Sequence, residues 1–177
     1  SIRYAENPPK KYQDIYPYDL LTRNEAEKEE LWLHWIKFFQ FWAGQGVKIF
    51  RIDNPHTKSF GFWEKVIKET QSRYPETVFW AEAFGVIPEF YRQLLYIGFN
   101  AVFLYFPWIE TKEKIEQTLL RDFEPWEARR LFSWVNTKDI YPQIFHDSNK
   151  KSAYEMRIAL AALVFPGLWG IFEPALW

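Results

Sequence analysis

The sequence lacks cysteine altogether, carries almost no net charge and contains no long apolar run. Without thiols the chain can form neither a disulfide framework nor a thiolate metal site. Its 22 basic residues nearly balance its 23 acidic residues, and no basic cluster of the kind that binds phosphate backbones is present, so no nucleic-acid partner is expected. No apolar run reaches the length that spans a bilayer, so no membrane partner is expected either.

The lack of cysteine and of an N-terminal signal peptide favours a reducing compartment, and we expect a cytoplasmic protein. The chain begins at Ser1 rather than methionine and stops at Trp177 without a polar tail. These ends are typical of a segment of a longer protein, and that is our expectation.

Aromatic side chains are what the chain has in excess, with 10 Trp, 10 Tyr and 17 Phe making up 21% of it. Most of them are needed for a hydrophobic core. Sugar rings, however, present apolar C–H faces that stack on aromatic rings, so the excess of Trp and Tyr mildly favours a carbohydrate ligand.

Apolar runs alternate with helical patterns along most of the chain. Residues 1–20 are rich in proline and polar residues and are interpreted as an irregular loop. Thr22 and Glu25 form a capping-box pattern that opens a helix ending at Gly44, whose apolar stripe, including Trp42, is predicted to be core. Strands are predicted at 47–52, 77–81, 101–106, 131–135 and 168–172, and further helices at 62–72, 88–97, 112–120, 126–130 and 152–163.

This alternation of strands and helices predicts an α/β fold with a parallel sheet. A complete TIM (β/α)8 barrel has eight strands and needs about 250 residues. Five predicted strands fit the C-terminal part of such a barrel, about five βα units. We therefore expect residues 1–177 to be one partial domain from which the N-terminal strands of the barrel are absent.

Arg51 and Asp53 lie two residues apart in a short apolar run that begins after Gly46. Side chains of a strand repeat every second residue, so these two point to the same face. A carboxylate at the C-terminal end of a strand, beside a guanidinium that keeps it ionised, is placed for chemistry. The alternative is a buried Arg–Asp pair that only fixes strand geometry, and this segment by itself leaves both readings open.

Two more carboxylates follow strands in the same way, Glu82 after 78–81 and Asp139 after the run 132–138. Carboxyl ends of parallel barrel strands meet at one rim, so Asp53, Glu82 and Asp139 are expected to converge there. Retaining glycoside chemistry uses a carboxylate nucleophile and a carboxylic acid about 5–5.5 Å apart, and a third carboxylate can stabilise positive charge. Acidic residues after strands are also common as loop or helix-cap residues, which is the alternative for each one taken singly.

Three segments resemble the α-amylase superfamily of glycoside hydrolases, glycoside hydrolase family 13: Phe-Arg-Ile-Asp-Asn-Pro-His-Thr-Lys at 50–58, Phe-Trp-Ala-Glu-Ala-Phe at 79–84, and Asn-Thr-Lys-Asp-Ile at 136–140. Within it they are most similar to bacterial enzymes that transfer maltose from maltose 1-phosphate. The opening Glu-Asn-Pro-Pro-Lys-Lys-Tyr-Gln-Asp-Ile-Tyr-Pro at 6–17 is similar to these enzymes too. The resemblance covers nearly the whole chain and implies a partial catalytic domain.

The resemblance implies a role for each site residue. Asp53 would be the nucleophile that forms a β-maltosyl–enzyme intermediate, and Glu82 the general acid and then base. Asp139 would stabilise the transition state, and Arg51 would orient Asp53 and keep it ionised. His56 is either a substrate contact or a cap of the following helix, and it receives no catalytic role.

The phosphate of the donor would be bound by Asn7, Lys10, Tyr12 and Asn54, again by resemblance. One cation with several neutral donors suits a phosphate that must leave after transfer. Without the resemblance, Lys10 would be interpreted as an exposed loop charge.

The implied reaction is retaining transfer of maltose from maltose 1-phosphate to the non-reducing end of an α-1,4-glucan, with release of phosphate and with no metal or other cofactor. The partners are then maltose 1-phosphate and α-1,4-glucan, and a homodimer of the full-length protein is compatible with the resemblance. One alternative is an α-amylase-like α-glucan hydrolase. Lys138 disfavours it, because ordinary amylases have histidine immediately before the stabilising aspartate.

Another alternative is a non-catalytic fragment that at most binds glucan. An open half-barrel exposes sheet edges and an uncovered apolar core. We therefore expect the 177-residue piece alone to be inactive and to aggregate or associate.

Overall fold

The computed structural model describes residues 2–3, 10–11, 20, 24–83, 87–137 and 150–172, and most of these belong to regular elements. The strands are β1 (Ile2–Arg3), β2 (Lys10–Lys11), β3 (Ile49–Asp53), β4 (Val78–Glu82), β5 (Ala101–Leu104), β6 (Leu131–Trp134) and β7 (Leu168–Gly170). The helices are α1 (Glu25–Gly44), α2 (Phe60–Arg73), α3 (Pro88–Tyr96), α4 (Lys112–Gln117), α5 (Pro125–Ala128) and α6 (Lys150–Leu163).

Strands β3 to β7 form one five-stranded sheet in which every neighbouring pair is parallel. Their order in the sheet is their order in the chain. A doubly wound sheet would instead reverse direction at a switch point, so the sequential order is that of an arc of a barrel. The predicted α/β class with a parallel sheet is confirmed.

The first residues differ from the prediction of an irregular loop. β1 and β2 pair antiparallel, with Ile2 opposite Lys11 and Arg3 opposite Lys10. These four residues are therefore extended and paired, although each strand is only two residues long.

Helix α1 ends at Gly44 as predicted but begins differently. Asn24 is the N-cap, because its Oδ1 accepts from the backbone N–H groups of Ala26 at 3.1 Å and Glu27 at 3.4 Å. Glu25 is thus the first helical residue rather than the reciprocal partner of a capping box, and that prediction is wrong. Thr22 lies outside the described residues.

The apolar stripe of α1 is only partly core. Ile36 and Phe39 are buried, and the Phe39 ring packs edge-to-face on Phe79 of β4 at 5.4 Å. Trp42 is exposed, so the prediction of a core stripe is wrong at its C-terminal end. The buried half of the helix covers the outer face of the sheet together with α2 and α3.

The strands that carry acidic residues end one residue later than predicted. β3 and β4 include Asp53 and Glu82 as their last residues, whereas the predicted strands stopped at 52 and 81. β5 is shorter than predicted because a 3₁₀ turn, Phe106–Trp108, with Pro107 in it, replaces its end. The backbones of both acidic residues therefore belong to the paired strands β3 and β4 rather than to loops.

Helix α3 offers a direct test of this core. Leu94 of α3 is fully buried, so Leu94→Ala leaves a cavity and is expected to lower the free energy of unfolding by about 2–5 kcal/mol. Leu163→Ala at the end of α6 is the matched control, since that side chain is 83% exposed and its loss is expected to cost about 0.5 kcal/mol or less. Urea unfolding of the full-length protein measures both, and equal midpoints would contradict the described packing.

Candidate active site

The parallel pairing of β3 with β4 brings the first two carboxylates together. Ile49 stands opposite Val78 at one end of the ladder, and Asp53 stands opposite Glu82 at the other. Both acidic residues thus lie at the C-terminal edge of the sheet, on neighbouring strands, as their spacing of one βα unit predicts.

Asp53 is held through both carboxylate oxygens. Nη1 of Arg51 donates to its Oδ1 at 2.5 Å, and Nδ2 of Asn54 donates to its Oδ2 at 3.3 Å. Its side chain is nevertheless 67% exposed. A buried Arg–Asp pair that only fixes the strand is therefore not what the structure contains, and Asp53 is both fixed and open to an approaching molecule.

Glu82 has the opposite environment, because only 5% of its side chain is exposed. The hydroxyl of Tyr105 donates to its Oε1, and the backbone N–H of Asn54 donates to its Oε2 at 3.1 Å. Two carboxyl groups with such different solvent exposure can take different protonation roles, which is the arrangement that an acid and a nucleophile require.

Arg51 links the two carboxylates. Besides its bond to Asp53, its Nη2 lies 3.7 Å from Oε1 of Glu82, and its guanidinium lies over the ring of Phe103 at 5.8 Å. One cation between two acidic groups reduces the electrostatic repulsion between them.

Asn54 holds the turn that follows Asp53. Its backbone is left-handed, with φ 45° and ψ 48°, a conformation that asparagine tolerates better than most residues. The turn beyond it is fixed by Nε1 of Trp63, which donates to the carbonyl of Pro55 at 3.1 Å, and by Oγ1 of Thr57, which donates to the carbonyl of Asn54 at 2.8 Å. This geometry is what points the Asn54 N–H at Glu82 and its amide at Asp53.

An aromatic cleft of about 360 Å³ opens beside the carboxylates. Trp80, Phe103 and Trp134 project into it from three successive strands, and the Phe103 and Trp134 rings lie 5.4 Å apart. Aromatic walls around a few polar groups are typical of small-molecule sites and suit the apolar faces of sugars. The lining residues are Arg51, Trp80, Glu82, Phe103, Tyr105, Trp134, Thr137 and Phe172.

Two titratable groups border this site. Burial lowers the pKa of His56 below its usual value, and the charge of Asp53 opposes that shift. Nδ1 of His56 is buried and has no hydrogen-bond partner among the residues that the structure describes. Burial also raises the pKa of Tyr91, with the charge of Glu82 adding to the effect, so both rings are neutral at pH 7.

The structure places some of the predicted site residues and not others. Asp139, Asn7 and Tyr12 lie outside the described residues, and Lys10 is described only through the backbone of β2. Their roles stay predictions.

Across the described ranges no group of three or more histidine, aspartate or glutamate residues is arranged to hold a metal ion. None of the helices described combines the length and apolar character needed to cross a membrane.

Tyr105 is the site residue that the sequence analysis missed. It follows β5 directly, at the same edge of the sheet as Asp53 and Glu82. The rule that located the carboxylates, a polar group at the C-terminal end of a predicted strand, would have found it if phenols had been included.

A scan against protein-family models found no match. The chain is 39% identical over 177 residues to the alpha-1,4-glucan:maltose-1-phosphate maltosyltransferase of Chlorobaculum tepidum, covering 99% of this chain and 26% of that protein. It is 42% identical over 165 residues to the protein of the same name from Rhodospirillum rubrum, covering 92% of this chain and 23% of that protein. The chain thus spans about a quarter of the length of the curated relatives it matches.

Solved structures share its fold. The cyclic alpha-maltosyl-(1→6)-maltose hydrolase of Arthrobacter globiformis, in complex with maltose, matches with a TM-score of 0.65 and 14% identity, covering 84% of this chain and 36% of that one. An acarbose-soaked debranching enzyme of Nostoc punctiforme matches with a TM-score of 0.62 and 19% identity, covering 81% and 36%. Both are TIM-barrel enzymes matched over part of their length, which confirms the predicted partial barrel.

The environment of His56 predicts a pH dependence of stability. Because its pKa is lower in the folded chain than in the unfolded chain, the unfolded chain binds more protons as the pH falls, and the fold loses stability between pH 7 and pH 5. His56→Gln cannot be protonated and is expected to lose less thermal stability over this range. Melting temperatures at both pH values test this, with His34→Gln on the exposed face of α1 as the control. An unchanged pH dependence in His56→Gln would contradict it.

Proposed function

This chain belongs to the family of the α-1,4-glucan:maltose-1-phosphate maltosyltransferases, within the α-amylase superfamily, and on that basis we propose that it is part of their kind of catalytic domain. The proposed reaction moves maltose from maltose 1-phosphate to the non-reducing end of an α-1,4-glucan and releases phosphate. The observation that carries this proposal is the pair of an exposed, ion-paired Asp53 and a buried, hydrogen-bonded Glu82 on adjacent strands.

In the first step Asp53 attacks the anomeric carbon of the maltosyl group from the face opposite the phosphate. Glu82 gives its proton to the departing phosphate oxygen as the carbon–oxygen bond breaks. The product is a glycosyl ester on Asp53 with inverted configuration, together with free phosphate. Arg51 supports the attack because its hydrogen bond to Oδ1 holds the carboxylate in position.

In the second step the ionised Glu82 accepts the proton of the acceptor hydroxyl. The hydroxyl oxygen attacks the anomeric carbon, and the ester bond to Asp53 breaks. Two inversions give net retention of configuration. Glu82 acts first as the acid and then as the base, from a side chain of which only 5% is exposed.

Asp139 is proposed to stabilise the positive charge that develops at the anomeric carbon. Asn7, Lys10, Tyr12 and Asn54 are proposed to bind the donor phosphate. Asn54 is the member of this set whose side chain the structure describes, and its Nδ2 lies 3.3 Å from Oδ2 of Asp53. The two steps balance without a metal ion or any other cofactor.

Removal of either carboxylate tests the assignment in the full-length protein. Asp53→Ala and Glu82→Gln are each expected to lower phosphate release from maltose 1-phosphate, in the presence of glycogen, by about 10³-fold or more. Glu89→Gln, an exposed glutamate in the first turn of α3, is the matched control and is expected to keep wild-type activity. Full activity in Asp53→Ala would contradict the assignment.

Substitution of Lys10, one of the proposed phosphate-binding residues, distinguishes maltosyl transfer from hydrolysis. Lys10→Ala is expected to raise the KM for maltose 1-phosphate by about tenfold or more, because it removes a charged phosphate contact, whereas Lys11→Ala changes it little. If the protein instead released maltose from starch without phosphate, and Lys10→Ala left that activity unchanged, an α-glucan hydrolase would replace the proposed transferase.

A further inference from the structure

Tyr105, which lies outside strands β3 and β4, is hydrogen-bonded directly to Glu82. Its hydroxyl donates to Oε1, and the N–H of Asn54 donates to Oε2, so both oxygens of the buried carboxyl group are engaged by donors from two different elements. The phenol is buried, and its ring stacks on Trp108 at 5.1 Å with an interplanar angle of 27°. The carboxyl group therefore has one rotational position that keeps both bonds.

The segment after Tyr105 is a tight turn rather than a continued strand. The N–H of Trp108 donates to the carbonyl of Tyr105 at 3.1 Å, and the N–H of Ile109 donates to the carbonyl of Phe106 at 2.9 Å. The position of Tyr105 thus depends on how this turn is held against the rest of the domain.

Arg157 of α6 holds the turn through hydrogen bonds to its backbone. Its Nη1 donates to the carbonyl of Ile109 at 2.7 Å, its Nη2 donates to the carbonyl of Phe106, and its guanidinium lies 3.7 Å from the centre of the Phe106 ring. The side chain is buried, and burial lowers its pKa to about 10, with the charge of Glu110 opposing the shift. Within the part of the chain that the structure describes, it makes no ion pair with a carboxylate.

Among the described residues this buried cation is bound by two carbonyls and a ring, which is costly, and a methionine or leucine would cover the same apolar surface at lower cost. A guanidinium differs from these side chains because its two terminal nitrogens can donate to two carbonyls at the same time. These two hydrogen bonds hold the turn at Phe106, its first residue, and at Ile109, the residue that follows the turn. Because Tyr105 immediately precedes the turn, they also fix the direction of its side chain.

We propose that Tyr105 is a positioning residue for Glu82, and that Arg157 acts through Tyr105 by holding the Phe106–Ile109 turn. This inference rests on the proposed role of Glu82 as the acid and base. Tyr105 keeps the carboxyl group turned toward the cleft, and its hydroxyl stabilises the ionised form that accepts the proton of the acceptor.

Among the residues that the structure describes, the titratable groups that face Glu82 include Arg51 and Asp53 from β3, Tyr91 from α3, and Tyr105 after β5. Burial keeps Tyr91 neutral at working pH, and the charged groups in this described set, Arg51 and Asp53, are not altered by a change at Tyr105. A shift in the pH profile of a Tyr105 variant therefore reports the lost hydrogen bond.

Tyr105→Phe in the full-length protein is the first test. It is expected to lower kcat/KM for maltose 1-phosphate by about tenfold to a hundredfold, because a hydrogen bond to a charged group is lost. The alkaline limb of the pH–rate profile is expected to move to higher pH, since the carboxylate has lost a donor. Tyr96→Phe, at an exposed tyrosine on α3, is the control and should change neither quantity.

Arg157→Lys is the second test, because lysine keeps the charge but cannot span the two carbonyls. It is expected to move the alkaline limb in the same direction as Tyr105→Phe, and the double variant is expected to be no worse than Tyr105→Phe alone. Arg121→Lys on the exposed side of the domain is the control. If Arg157→Lys does not accumulate as folded protein, Phe106→Leu, which removes the ring under the guanidinium, replaces it.

Four outcomes are decisive. Limb shifts in both single variants, with a non-additive double variant, support the inference. If Glu82→Gln abolishes transfer but Tyr105→Phe leaves the pH profile unmoved, the inference fails while the proposed function stands. If Glu82→Gln keeps wild-type transfer, the role of Glu82 fails and the inference fails with it. A lower melting temperature of Arg157→Lys without a limb shift would reduce Arg157 to a structural cross-link.

Discussion

The parallel register of β3 against β4 is the constraint on which the whole site depends. It sets Asp53 opposite Glu82 and places both at the edge of the sheet where the chain turns into loops. A slip of one residue would send one of the carboxylates to the outer face of the sheet, among the helices. The apolar residues that alternate with them, Ile52 and Ala81, are buried on that outer face, so packing enforces the register that chemistry needs.

Given this register, a small number of polar contacts creates two unlike carboxyl groups. Arg51 and Asn54 hold Asp53 in the open, whereas Tyr105 and the Asn54 backbone hold Glu82 in the interior. Asn54 serves both groups, and the left-handed backbone at this residue is what allows it. The local strain at Asn54 is tolerated because Trp63 and Thr57 fix the turn beyond it.

Much of this could be predicted from sequence because the relevant signals were periodic. The spacing of Asp53 and Glu82 gave their shared edge, since one βα unit separates adjacent parallel strands. The capping error at α1 arose because Asn24 and Thr22 are both good N-cap residues two positions apart, and sequence does not decide between such close candidates. The exposure of Trp42 could not be predicted, since helical periodicity identifies apolar faces without saying which face meets the sheet.

Arg157 shows a different limit. A single arginine on a predicted helix is interpreted as solvent-exposed by default, because arginine is rarely buried. Its burial depends on the carbonyls of a turn about 50 residues earlier in the chain, which no local pattern reveals. Contacts of this kind, between a side chain and distant backbone, are where sequence reasoning stops and three-dimensional packing begins.

The central claim is that Asp53 forms a covalent bond with the transferred sugar, and chemical trapping tests it most directly. The full-length protein would be incubated with a fluorinated maltosyl donor whose glycosyl ester with the enzyme forms quickly and breaks down slowly. Peptide mass spectrometry would then locate the ester. The account predicts one maltosyl-type adduct on the peptide that carries Asp53. An adduct on another residue, or no adduct together with a product of inverted configuration, would contradict it.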